Sequence, residues 1–171
     1  MINLIMVIST SIICGGIIWY SEIKSNQKLK KEFTGRYKLK ANISYKILGI
    51  LSIIISVILI NIMIMHWSEE IQILAPIATC IFLIPGIYTL MFYYNYSIEF
   101  NESRILSTNW RGAKKNFKWS DIINVKFIES IKCLYVKSNS GKILINQDSV
   151  GFIILIEMME LKTGYKFKKQ N

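Results

Sequence analysis

Residues 43–65 read ISYKILGILSIIISVILINIMIM and carry one charge, Lys46, near their start. A helix of that length, at about 1.5 Å per residue, matches a hydrocarbon core of about 30 Å. It has no polar stripe to turn toward water, so a small soluble domain could not hold it comfortably. Residues 71–93 repeat the pattern without any charge, and so do residues 2–20. Three transmembrane helices are therefore predicted within residues 1–94. The first run is expected to remain as an uncleaved helix. No basic residue precedes it, and it ends on Trp19-Tyr20, an interfacial pair rather than a small-residue cleavage site. The third run contains Pro76 and Pro85-Gly86, which predicts a kink.

The charges between the runs set an orientation. Net charge is +10 in 171 residues. Lys24, Lys28, Lys30, Lys31, Arg36, Lys38 and Lys40 fill a basic loop, residues 24–40, against Glu32 alone. The short link between the second and third runs holds Glu69 and Glu70 and no Lys or Arg. Arg104, Arg111, Lys114, Lys115 and Lys118 follow the third run. Basic segments stay on the cytoplasmic side. The expected topology thus has the amino terminus outside a plasma or inner membrane, with the basic loop and residues 95–171 in the cytoplasm. Abundant isoleucine, lysine and asparagine fit a bacterial source with an AT-rich genome.

The runs carry little chemistry. Beyond Lys46 no ionisable side chain lies at bilayer depth, so a transporter or intramembrane enzyme is not indicated. Ser9-Thr10-Ser11, Gly15-Gly16, Ser52, Ser56, Asn61 and Thr79 suit close helix packing. Cys14, Cys80 and Cys133 have no metal-binding spacing, and His66 is the one histidine. No cofactor or metal is expected.

From Asn95 the hydrophobic period changes to two. Tyr96, Ile98 and Phe100 alternate with Ser97 and Glu99, and a turn at Asn101-Glu102-Ser103 leads into Arg104 to Asn109. Trp110-Arg111-Gly112-Ala113 makes a second turn before a strand from Lys115 to Ser120. Ile123, Val125 and Phe127, then Cys133 to Val136, give two more strands. Asn139-Ser140-Gly141 turns into a sixth, Lys142 to Gln147. A helix is expected from about Val150 to Thr163, capped by Asp148 or Ser149 and ended by Gly164. Its segment Phe152 to Ile156 is apolar all round, so one face should plug the sheet and another could meet the membrane or a partner. The fold class is thus membrane α-helical plus an α+β cytoplasmic domain.

Within this meander the run KWSDIINV holds Trp119, Asp121, Ile122 and Val125. Trp119 is large enough to fill the centre of a small sheet domain. Asp121 can accept backbone N–H bonds at the corner between strands. One aspartate without a nucleophile or second carboxylate is no active site, so the protein is not expected to be an enzyme. The run, together with the Gly141-Lys142 turn and the helix after it, resembles the bacterial pleckstrin-homology-like domain. That resemblance implies an antiparallel sheet or barrel capped by a C-terminal helix, a fold that often follows membrane helices. The family fold has seven strands, against six read here.

Arg111, Lys114, Lys115 and Lys118 are the candidate contacts for a lipid or protein partner. Each cation close to an anionic bilayer contributes about 1 kcal/mol. The expected function is non-enzymatic binding of inner-leaflet lipid headgroups, or of a protein at the membrane. The alternative is a scaffold subunit acting through protein contacts alone, with a membrane-protein partner or a second copy. Nucleic acid is not expected. Although Phe33 and Tyr37 interleave the basic loop, that loop is tethered to apolar runs at both ends.

Overall fold

The computed structural model describes residues 35–65 and 69–166, with Gly16, Tyr20 and Ile23 before them. The predicted first span, most of the basic loop, and His66 to Ser68 lie outside the described residues. The first element is a strand, β1 (Tyr37–Lys40). Asn42 then starts the first long helix. Its buried side-chain oxygen accepts from the backbone N and the Oγ of Ser44, both at 3.2 Å. This satisfies donors that a helix start leaves free. Helix α1 spans Ile43–Met65 and α2 spans Glu69–Asn95.

Both helices are long and apolar enough to cross a membrane. They pack against each other through small residues. A Cβ on Gly86 would stand 2.9 Å from the Ser52 Cβ and 3.3 Å from the Gly49 carbonyl oxygen. One on Gly49 would stand 2.6 Å from the Leu90 Cγ. Only glycine permits this approach. The polar residues near this seam turn inward on the backbone: Ser56 Oγ donates to the Ser52 carbonyl at 2.9 Å, and Thr89 Oγ1 to that of Pro85 at 2.9 Å. Outward, Ile64, Ile73, Leu74, Ile81 and Ile84 are exposed. Helix α2 runs through Pro76 and Pro85 without a break.

Strands β2 (Ser97–Phe100), β3 (Arg104–Thr108) and β4 (Lys114–Lys118) follow. A 3-10 turn at Trp119–Asp121 leads into β5 (Ile122–Ile128). After a second 3-10 turn at Glu129–Ile131 come β6 (Cys133–Ser138) and β7 (Gly141–Asn146). Helix α3 (Phe152–Thr163) closes the described chain. The strands form two antiparallel sheets, ordered β1-β2-β3-β4 and β5-β6-β7.

The described residues thus hold seven strands rather than six. The added strand lies in the basic segment read as a loop. Leu39 is fully buried there, and Lys38 pairs with Glu99 in the neighbouring strand. The helical hairpin is therefore inserted between two paired strands, and the sheet portion draws on residues from both sides of it. Four residues with only two apolar positions give too short a period-two signal to stand out among lysines.

The core lies between the sheets. Leu39, Ile98, Phe100, Ile105 and Phe117 face Leu134, Val136, Ile143 and Ile145, and α3 adds Phe152, Leu155, Ile156 and Met159. Phe152, Leu155, Ile156 and Met159 of α3 are consumed by this core, while Ile153 and Leu161 are exposed. The start of α3 departs from expectation. Gly151, in the left-handed region at φ 87°, occupies the cap position, and no side chain caps the helix. Gly164 ends it as expected, its N–H bonding the Glu160 carbonyl.

Candidate functional site

Asn109 organises the turn between β3 and β4. Its side-chain oxygen accepts from the N–H of Arg111 and of Ala113, both at 2.9 Å, while its backbone bonds Gly112 and Ala113. Gly112 sits at φ 82°, where a side chain would be strained. The turn is seated against helix α2. The Asn95 amide donates to the Trp110 carbonyl at 2.8 Å. The Trp110 indole meets the Tyr88 ring edge-on, centroids 5.2 Å apart. Arg111 lies over that indole, its guanidinium carbon 4.5 Å from the ring centroid. Tyr88 stands about 10 Å along the axis from the end of α2, at about 1.5 Å per residue. The turn therefore reaches back along the apolar helix rather than projecting away from it.

A belt of aromatic rings continues around this junction. Tyr88, Phe92 and Tyr96 stack down α2 and past its end, and Tyr45 of α1 packs on Phe92 at 4.8 Å. The Lys46 ammonium lies 5.9 Å and 6.0 Å from the Tyr93 and Tyr94 ring centroids.

The second sheet is keyed to the same place. The Asn146 N–H donates to the Tyr96 hydroxyl at 3.3 Å, and its amide bonds the Tyr45 hydroxyl. Val150 N–H donates to the Lys40 carbonyl at 3.0 Å. Burial pushes the Tyr96 hydroxyl up to about 12.

The four predicted contact residues do not form one cluster. Arg111 lies on the turn. Lys114 and Lys118 lie in β4 on the outer face of the first sheet, opposite Thr108 and Arg104. Lys115 is not a turn residue. The pleat sends it to the other side, where its ammonium donates to the Lys142 carbonyl at 3.1 Å and links the two sheets.

The KWSDI run is structural in its contacts. Trp119 is 5% exposed, its indole N–H donates to the Asn101 carbonyl at 2.7 Å, and its turn packs on α3. Ile122 and Val125 pack against the core. The expectation that the Asp121 carboxylate caps backbone N–H groups is not met. It takes the Ser120 hydroxyl at 3.1 Å, and it is the Asp121 backbone carbonyl that accepts from the Asn139 N–H. Asp121 closes the 3-10 turn itself, and there its carboxylate meets the hydroxyl of its own neighbour. Cys133 is half-buried, and burial raises its thiol above the ordinary value, which keeps it protonated at neutral pH.

Asn109 and Asn146 were missed by the sequence reading. An asparagine three residues before a glycine could have revealed the first. Nothing local marks the second, whose partners are far away in the chain. Compared with known proteins, the chain matches no family model, no curated protein and no solved structure.

Proposed function

We propose that this chain is a non-enzymatic, multi-pass membrane protein whose cytoplasmic domain binds anionic headgroups of the inner leaflet through the β3–β4 turn. The observation that carries the reading is the seating of Trp110 on Tyr88 with Arg111 stacked above it. An indole and a tyrosine side by side on an apolar helix are the residues of a membrane interface. A guanidinium held there meets phosphate-bearing headgroups well within a Debye length of about 8 Å. Lys114 follows three residues later, at the start of β4. The apolar exposure of both helices and the basic segment around β1 support the multi-pass, inward-facing arrangement.

Four strands plus three, followed by a helix that plugs them, support the pleckstrin-homology-like reading of the sheet portion. The scaffold alternative keeps only part of its motive at α3, where Phe152, Leu155 and Ile156 are covered within the chain while Ile153 and Leu161 are exposed.

The test reconstitutes the full chain in discs of mixed phosphatidylcholine and phosphatidylglycerol and measures which lipid is retained on delipidation. Phosphatidylglycerol should be enriched, and Arg111→Gln with Lys114→Gln should reduce the preference by about 2 kcal/mol. Lys115→Gln should change it little, since that ammonium is engaged with Lys142. No preference for phosphatidylglycerol at low salt would end the lipid reading.

A further inference from the structure

The outer face of the four-stranded sheet is strongly and unevenly charged. Register and burial turn Leu39, Ile98, Phe100, Ile105 and Phe117 inward, so their strand neighbours face out. Those neighbours include Lys38, Lys40, Arg104, Lys114 and Lys118, with Glu99 in their midst and Arg36 just before β1. Lys38 and Glu99 satisfy each other at 2.6 Å. The remaining cations form two groups on either side of that pair. Lys40 and Lys114 lie at the end near the helices. Arg36, Arg104 and Lys118 lie at the far end, about 13 Å away at about 3.4 Å per residue.

A pocket of about 90 Å³ opens at the far end, and Arg36, Asn101, Arg104 and Asn116 are among its lining residues. Two arginines bordering such a volume suit one carboxylate-sized anion. Glu99 also borders the pocket, and Lys38 already neutralises it. Glu102, on the adjoining turn, makes no ion pair with either arginine among the described residues.

We infer that this face docks an acidic segment of a protein partner, with one of its carboxylates in the Arg36–Arg104 pocket. The far cations stand beyond a Debye length of about 8 Å from the end that adjoins the helices, so a bilayer there would not hold them. A second copy of this chain, at net charge +10, is a poor match. A nucleic-acid strand carries a charge about every 3.4 Å. Such a strand would set phosphates against the already neutral Lys38–Glu99 pair, where no free cation answers them, whereas an acidic polypeptide can place its few charges on either side. The inference goes beyond lipid binding and does not depend on it.

The experiment uses the full chain in discs of phosphatidylcholine alone, which removes the lipid question. A fluorescein-labelled peptide with two glutamate pairs separated by three neutral residues, a span that matches the two cation groups, is titrated and followed by anisotropy. Arg36→Gln with Arg104→Gln should weaken binding roughly tenfold or more. Lys126→Gln with Lys137→Gln removes two exposed charges from the other sheet and should leave the affinity within about twofold. Thermal melting checks that both variants fold, as substitutions at surface positions allow. Equal losses in the two variants would reduce the effect to net charge and overturn the proposal. So would an absence of peptide binding. Tighter binding of an oligothymidylate of equal charge, lost with the same two arginines, would make the face a nucleic-acid surface instead.

Discussion

Trp119 shows how one residue holds two corners of the fold. Its ring is buried in the core, its indole N–H is spent on Asn101, and its own N–H bonds the Ser103 carbonyl at 3.4 Å. Trp119→Ala therefore opens a cavity and removes the donor from the part-buried Asn101 carbonyl. We expect a loss of about 3–5 kcal/mol, read as a lowered melting midpoint in detergent. Asp121→Asn should leave the midpoint nearly unchanged, because the carboxylate touches only the neighbouring Ser120. Tyr96 gives a dependence on pH. Its hydroxyl ionises near 10 in the unfolded chain and near 12 in the folded one. Folding thus favours the protonated form. Its stability is fully present below pH 10 and is lost as pH rises toward 12, by about 3 kcal/mol in all. Alkaline unfolding should show this fall, and Tyr96→Phe should flatten it. The size and burial of Trp119 were legible from its residue type. The tyrosine junction was not, because Asn146 meets Tyr45 and Tyr96 only after both sheets and both helices are in place.

At the scale of elements, the long helices were the most legible part. Their apolar runs exceed what any short strand pattern can imitate. The seam between them was legible in outline, since glycine and serine recur there. Gly86→Leu would drive a side chain into Ser52 and the Gly49 carbonyl. Overpacking of this kind costs about 1–3 kcal/mol. The variant should melt earlier in detergent, while Ile81→Leu on the exposed face should not. Strand β1 was the least legible element. Its identity comes from pairing with β2, a contact across the whole hairpin, and not from its own four residues. The bounds of β4 were nearly legible: the strand starts at Lys114 rather than Lys115, and it ends at Lys118, where the 3-10 turn of Trp119 takes over.

Considered as a whole, the molecule is one sheet domain interrupted by a helical hairpin. Residues 95–171 alone should not fold stably. They lack Leu39, which is fully buried, and the Lys40 carbonyl that receives Val150. Joining residues 35–42 to 95–171 through a few glycines should restore a cooperative melt, since Lys40 and Ser97 are already paired across the gap. A circular-dichroism comparison of the two soluble chains decides this. If 95–171 melts as cooperatively as the joined chain, β1 is dispensable. With β1 required, the hairpin serves as an anchor inside the sheet order, and the domain's position is set by pairing on both sides of it rather than by a flexible tether.

That position is the core of the functional reading, and Trp110 reports it. In a full-length chain with Trp19→Phe and Trp67→Phe, the two remaining indoles are Trp110 and the buried Trp119. Reconstituted with lipids brominated near the headgroup end of the acyl chain, the protein should lose much of its Trp110 emission. Lipids brominated near the bilayer centre should quench it less, and aqueous iodide should quench it weakly. Strong iodide quenching with no response to either brominated lipid would put the β3–β4 turn in water and contradict the account.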